Sequence, residues 1–191
     1  MMQPFWNDLL AKDKAFFAIL NGKWTNSFFD TIMPWVRDSK NWIPLYIGIL
    51  IFLFYKWGKS GWKWLLMAVI NVALTDQISS SFFKPFFHRL RPCADPEIMY
   101  HSRLLLAHCS GGFSFTSSHA ANHFGLAMFI VMTMQPLLKK YRFVFLFWAA
   151  TISYAQVYVG VHYPLDVFVG AIIGIIGGFL SSKLYFKIAN A

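Results

Sequence analysis

Apolar residues run through this chain in five long stretches, at 41–55, 62–86, 119–135, 143–159 and 164–187, separated by short polar clusters rich in Lys, Arg, Gly and Pro. Most of them have the roughly 17–25 residues that a helix needs to cross a bilayer; the first is short. Residues 24–37 are also apolar but are broken by Asp30, Pro34 and Arg37, which predicts a re-entrant or interfacial piece, with a sixth span as the alternative. The first 22 residues mix Asp8, Lys12, Asp13 and Lys14 with apolar positions. They predict an amphipathic helix on the membrane surface and lack the clean apolar core of a cleavable signal peptide. The expected fold is all-α: an integral membrane helical bundle of five to six transmembrane helices with an amphipathic N-terminal helix. It forms one domain over 1–191, with interfacial helices at 1–38, the bundle at 39–191 and one long loop at 87–118.

Composition agrees. Of 191 residues, 57% are hydrophobic and 13% charged, about half the charged fraction of a soluble domain. The 21 Phe and 8 Trp suit lipid-facing surfaces and interfacial belts. Trp57, Trp62 and Trp64, beside lysines, read as interface anchors. Lys56, Lys59 and Lys63 fill one connection, Lys139, Lys140 and Arg142 another, and Lys183 and Lys187 end the last stretch, with no acid in any of the three. The positive-inside rule puts all three, and the C-terminus, in the cytoplasm, in an integral plasma (inner) membrane protein whose N-terminus lies outside. The formal charge of +9 is then positive-inside anchoring plus an anion site. No basic stripe with a reading module points to nucleic acid. Loop 87–118 faces outward and holds the only cysteines, Cys93 and Cys109. An oxidising compartment permits a disulfide there, contributing about 3 kcal/mol in the chain-entropy model; two unpaired thiols are the alternative.

This topology gathers polar groups on one face. Lys84 ends the second stretch and Arg91 follows in the loop. Ser117, Ser118 and His119 begin the third, Gln156 lies one turn inside the end of the fourth, and His162 and Asp166 open the fifth. Ionisable groups inside a membrane bundle are functional candidates by default. Cations, serine hydroxyls and the N–H groups of two helix starts make an anion site. Ser117 is a natural N-cap and Pro164 suits a first helical turn. An anion held beside two histidines points to phosphoryl transfer, one histidine attacking phosphorus and the other protonating the leaving oxygen. Asp166, four residues after His162, would hold the imidazole by its second nitrogen.

Lys84 followed after six residues by Arg91-Pro92, then Thr116-Ser117-Ser118-His119, then Gln156 with His162 and Asp166, resemble the three signature motifs of the type-2 phosphatidic acid phosphatase family. The family includes bacterial undecaprenyl-diphosphate, phosphatidylglycerophosphate and lipid A phosphatases. The resemblance implies metal-independent hydrolysis of a lipid phosphate or diphosphate at the outer face, through a phosphohistidine. His162 would be the nucleophile, Asp166 its orienting carboxylate and His119 the general acid and later base. Lys84, Arg91, Ser117 and the backbone of Ser118 would bind the phosphate, with Gln156 in the same set. The implied partners are the lipid phosphate and the surrounding membrane lipid, without a cofactor and without a metal. An isoprenoid diphosphate is slightly favoured as substrate.

Two positions depart from the family pattern. Thr116 and Ser118 replace a proline and a glycine, and Ser118 still offers a backbone N–H. Gln156 stands where an arginine is usual, a neutral amide for a two-pronged cation, a loss of about 1.5–3 kcal/mol of charged hydrogen bonding. Arg89 or Arg103 are the expected compensators. Asp76, in the second stretch, falls on one face with Ser80 and Lys84, which reads as support for the phosphate-binding cations, or else as an interhelical hydrogen bond. His123 reads as a packing residue or a support behind the site, and His88, His101 and His108 as solvated. The glycines at 170, 174, 177 and 178 are packing devices. A phosphotransferase of the same family, an anion transporter and a non-catalytic lipid-phosphate binder are the competing functions.

Overall fold

A computed structural model describes residues 2–189. The chain is all-α there. Helix α1 (Met2–Ala18) runs on through a π-helical turn, Ile19–Lys23, into α2 (Ser27–Val36), whose N-terminus is capped by Asn26 accepting from Phe29 N. Next come α3 (Ile43–Trp57), α4 (Gly61–Gln77), a second π-helical turn at Ile78–Phe83, and the short α5 (Lys84–Phe87). Loop 88–117 leads to α6 (Ser118–Thr133), short α7 (Gln135–Leu138), α8 (Val144–Tyr158) and α9 (Pro164–Ala189).

Fewer segments than five meet the span criterion on their own. The mostly helical segment 39–94, interrupted at 88–91, and α9 are long and apolar enough to cross a membrane; α6 with the run Gln135–Tyr158, bent by 75°, makes a third if each bent pair counts once. The physical reason is length. α3, α4, α6 and α8 hold 15, 17, 16 and 15 residues, each below the roughly 20 of a full crossing. A tight turn at Gly58, with φ 51°, also joins α3 to α4 without a break in the helical segment. The sixth span is not formed: α2 has ten residues, about 15 Å of helix. Its Met33 and Val36 pack on the α8 residues Trp148, Ala149 and Ile152.

The centre of the bundle is the α6–α9 contact. Gly170, Gly174 and Gly178 repeat every fourth residue along α9, and a Cβ at any of them would run into the backbone of α6 or its N-cap: at Gly170 it would come within 2.6 Å of the Ser117 carbonyl. Small residues thus let the two axes approach, as expected. Trp64 departs from expectation. It is buried, packed on Phe129, and its indole N–H donates to Thr133 Oγ1 at 2.7 Å, tying α4 to α6 instead of anchoring at an interface. Trp62 is exposed. Cys93 and Cys109 are joined in a disulfide, which closes the loop between α5 and α6.

Candidate active site

His162 sits in the turn joining α8 to α9. Gly160, at φ 90°, makes that turn, and any side chain there would collide with the Arg103 carbonyl. The His162 ring is 2% exposed. Its Nδ1 lies 3.4 Å from Asp166 Oδ2 and its Nε2 3.1 Å from Arg91 Nη1. Burial of the ring pushes its pKa from 6.5 down to about 4, against the Asp166 hydrogen bond, which favours the charged form. The imidazole is therefore neutral near pH 7 and keeps a lone pair on one nitrogen.

Asp166, in the first turn of α9 and fully buried, is held on every side. Oδ2 accepts from Tyr163 N at 2.8 Å and from Ser114 Oγ, and Oδ1 accepts from Arg89 Nη1 at 2.7 Å. Arg89 reaches onward to Asp13 Oδ2 at 2.6 Å, and the other Asp13 oxygen accepts from Leu165 N at 2.8 Å, in the first turn of α9. Arg89 also lies 3.8 Å above the Tyr163 ring. A carboxylate–guanidinium–carboxylate chain thus runs from α1 to the base of His162.

The N-terminus of α6 meets this pair directly, because Ser117 N donates to the Asp166 carbonyl at 3.0 Å. Ser117 is the N-cap; its hydroxyl is fully buried and accepts from Ala120 N. The hydroxyl of Ser117 therefore serves the helix, while the first-turn N–H groups behind it are those a helix leaves unpaired. The π-helical turn at Ile78–Phe83 swings Ser79 onto the same segment, within 3.0 Å of Thr116 Oγ1 and Ser118 Oγ; such turns recur at functional sites. Lys84 follows at once, half-buried and, among the described residues, without a hydrogen-bond or ion-pair partner. Arg91 is 7% exposed and is braced by the carbonyls of Gly111, Gly112 and Val161.

His119 opens α6, its ring parallel to that of His123 at 6.2 Å. Lys84, Arg37 and His162 all act electrostatically on it. His123 donates from Nδ1 to the His119 carbonyl at 2.7 Å and meets Tyr46 Oη at 3.2 Å through Nε2, so it supports its neighbour from behind. A cavity of about 710 Å³ between α3, α4 and α6, lined by apolar residues such as Leu50, Leu65, Val72 and Leu126, ends at Asp76, His119 and Asn122.

Several expectations change. Gln156 is fully buried and its amide is spent on Arg37, which Arg89 and Arg103 do not replace: Arg89 is paired with two carboxylates and Arg103 with Asp30 at 2.6 Å. Asp76 accepts from Asn122 Nδ2 at 2.9 Å and from Ser80, the interhelical alternative, and among the described residues no ion pair joins it to Lys84. His88, His101 and His108 are exposed, as expected. Sequence reasoning missed Asp13, Ser114 and Arg37 as members of the site. Only the acid in an amphipathic helix carried any signal, and that signal also fits a solvated face. Among the described residues no cluster of three or more His, Cys, Asp or Glu could hold a metal ion.

A helical membrane bundle with a buried His–Asp pair, two cations and a helix N-terminus at one end defines a phosphoryl-transfer protein of the membrane. The chain belongs to the PAP2 superfamily, whose family profile matches residues 62–189, and it is a membrane lipid phosphatase of that family. Among curated relatives, the lipid A 4'-phosphatase of Bacteroides thetaiotaomicron is 39% identical over 160 residues, 80% of this chain and 68% of that protein. The lipid A 4'-phosphatase of Porphyromonas gingivalis is 32% identical over 178 residues, 93% of this chain and 74% of that one. Among solved structures, Aquifex aeolicus LpxE matches with a TM-score of 0.65 at 27% identity, over 88% of this chain and 93% of its own. The PAP2-type phosphatidylglycerolphosphate phosphatase of Bacillus subtilis matches in fold with a TM-score of 0.75 at 22% identity, over 95% and 88%.

Proposed function

We propose that this phosphatase removes a phosphate monoester from lipid A or a closely similar glycolipid, at the outer face of the membrane. This replaces the isoprenoid diphosphate favoured on sequence grounds, because the relatives reported above include two lipid A 4'-phosphatases across most of this chain. In this reading α3, α4, α6, α8 and α9 are the five spans, loop 88–117 is extracytoplasmic, and the basic connections and C-terminus are cytoplasmic.

The observation that carries the mechanism is the two-sided placement of His162, one ring nitrogen towards Asp166 and the other towards Arg91. Nδ1–H donates to Asp166, so Nε2 carries the lone pair; it accepts from Arg91 until the phosphate takes up that guanidinium, and then attacks phosphorus in line. The N–P bond forms as the P–O bond to the sugar breaks, and His119 delivers a proton to the departing alkoxide. Water then attacks the phosphohistidine with His119 as base, releasing inorganic phosphate and restoring the imidazole. Lys84, Arg91 and the first-turn N–H groups of α6 stabilise the charge on the equatorial oxygens, the task of positioned donors in phosphoryl transfer. The apolar cavity ending at His119 suits an acyl chain of the same lipid.

The test uses purified protein in detergent with EDTA. Phosphate release is measured from lipid A, phosphatidylglycerophosphate, phosphatidic acid and undecaprenyl diphosphate. Lipid A is expected to give the highest kcat/KM, with His162→Ala inactive and acid-labile radiolabelled phosphate trapped on the unsubstituted protein. Equal turnover by His162→Ala, or preference for the diphosphate, overturns the corresponding part.

A further inference from the structure

Gln156 poses a problem for any site that must neutralise a phosphate, since it contributes no charge from the place where the family motif carries an arginine. Its surroundings answer it. Gln156 is 0% exposed, and its amide engages one residue at two points: Oε1 accepts from Arg37 Nε at 3.2 Å, and Nε2 donates to the Arg37 carbonyl at 3.2 Å. Arg37 is the C-cap of α2, so the contact spans 119 positions of sequence. This clamp fixes the guanidinium plane by its inner nitrogen and leaves the two terminal amino groups. Among the described residues neither has a hydrogen-bond or ion-pair partner. The adjacent Asp38 carboxylate is turned back onto Lys40 N at 3.0 Å.

The half-buried Arg37 charge also acts on the right groups. It is felt by His119 and by Arg91, while Lys84 and Arg91 repel each other in turn. Three unpaired or backbone-braced cations crowded in a membrane protein are unfavourable while the site is empty, and an entering anion relieves that repulsion. Asp166 attracts Lys84 and Arg91 and offsets part of that repulsion, but its oxygens are bonded to Arg89, Ser114 and Tyr163 N, so it forms an ion pair with neither.

We infer that Arg37 is a phosphate-binding residue of this enzyme, supplying from the N-terminal segment the charge absent at position 156, and that Gln156 is its positioning residue. The inference rests on the reading of His162 and His119 as the reacting pair. A glutamine is suited to this task because it accepts from one guanidinium nitrogen and donates to a carbonyl. An arginine in its place could donate to the carbonyl but has no acceptor for the Arg37 Nε–H, and it would set two guanidinium groups against each other.

The test is a swap between the two positions, read by kcat/KM for lipid A and by the inhibition constant for inorganic phosphate, in detergent. Arg37→Ala is expected to lower kcat/KM and weaken phosphate inhibition by about 10- to 100-fold, the worth of one charged hydrogen bond. Arg37→Lys keeps part of both. Gln156→Arg alone lowers activity, whereas Gln156→Arg placed in the Arg37→Ala protein raises it towards the original value. Unchanged phosphate inhibition in Arg37→Ala overturns the inference. So does a loss that neither Arg37→Lys nor the swap recovers, since a residue that merely ties α2 to α8 would behave that way. His162→Ala, run alongside, reports separately on the reacting pair: if it stays active the site reading fails, and if it is dead a failed swap counts against Arg37 alone.

Discussion

At the scale of single residues, the proposed site rests on one imidazole kept neutral by burial and one carboxylate held by Arg89, Ser114 and Tyr163 N. His162 is the more exposed of the two to pH. Its folded pKa of about 4 lies below the 6.5 of an ordinary histidine, so the unfolded chain takes up its proton first as pH falls. The stability it contributes is therefore complete above pH ~6.5 and is lost progressively between about 6.5 and 4, with no further loss below. The thermal midpoint in detergent is expected to drop across that window, and the drop is expected to shrink in His162→Gln; an identical drop in both proteins contradicts the assignment. The pair itself was legible because a short spacing brings both residues to the start of α9, His162 in the turn before the helix and Asp166 in its first turn. Ser114, which donates to the same carboxylate, was not legible, since a lone loop serine has no pattern around it.

At the scale of elements, the bundle is set by how closely α6 and α9 approach. Both ends of the site depend on it, because Ser117 N donates to the Asp166 carbonyl where the two helices begin. Gly174 faces the Ala121 carbonyl and Gly125 N with no room for a methyl group. Gly174→Ala is expected to cost about 1–3 kcal/mol through overpacking and to lower turnover by moving Asp166 relative to α6. Gly48→Ala, on α3 with nothing within 4 Å, serves as the control and is expected to leave the thermal midpoint equal or slightly higher. The glycine spacing was readable as a packing face. The segmentation of spans was less so. Hydropathy registers apolar length, whereas the helices between the polar connections are each shorter than a full crossing, so apolar stretches and span-length helices do not coincide.

At the scale of the molecule, the N-terminal segment is part of the catalytic bundle's support. Asp13 on α1 pairs with Arg89 and accepts from Leu165 N, so it steadies both the partner of Asp166 and the start of α9. Asn21 ties the same segment to the carbonyls of Arg103 and Tyr158, and Arg37 reaches Gln156. Removing Asp13 leaves Arg89 half-paired in a buried setting, a change that costs about 3–5 kcal/mol when a buried pair is broken. Asp13→Ala is expected to lower the thermal midpoint and kcat together, while Asp8→Ala, which breaks only the exposed pair with Lys12, changes neither beyond error. By itself the sequence determined the membrane class, the helical architecture and the His162–Asp166, Lys84–Arg91 and Ser117–His119 motifs, because hydropathy and short spacings are local properties of the chain. Only the tertiary structure decided which arginine stands beside Gln156, which arginine holds Asp166, and that an N-terminal surface helix supports the site. Those contacts join residues 76 to 119 positions apart, and a guanidinium group finds its partner through the folded packing of helices, which no local pattern encodes.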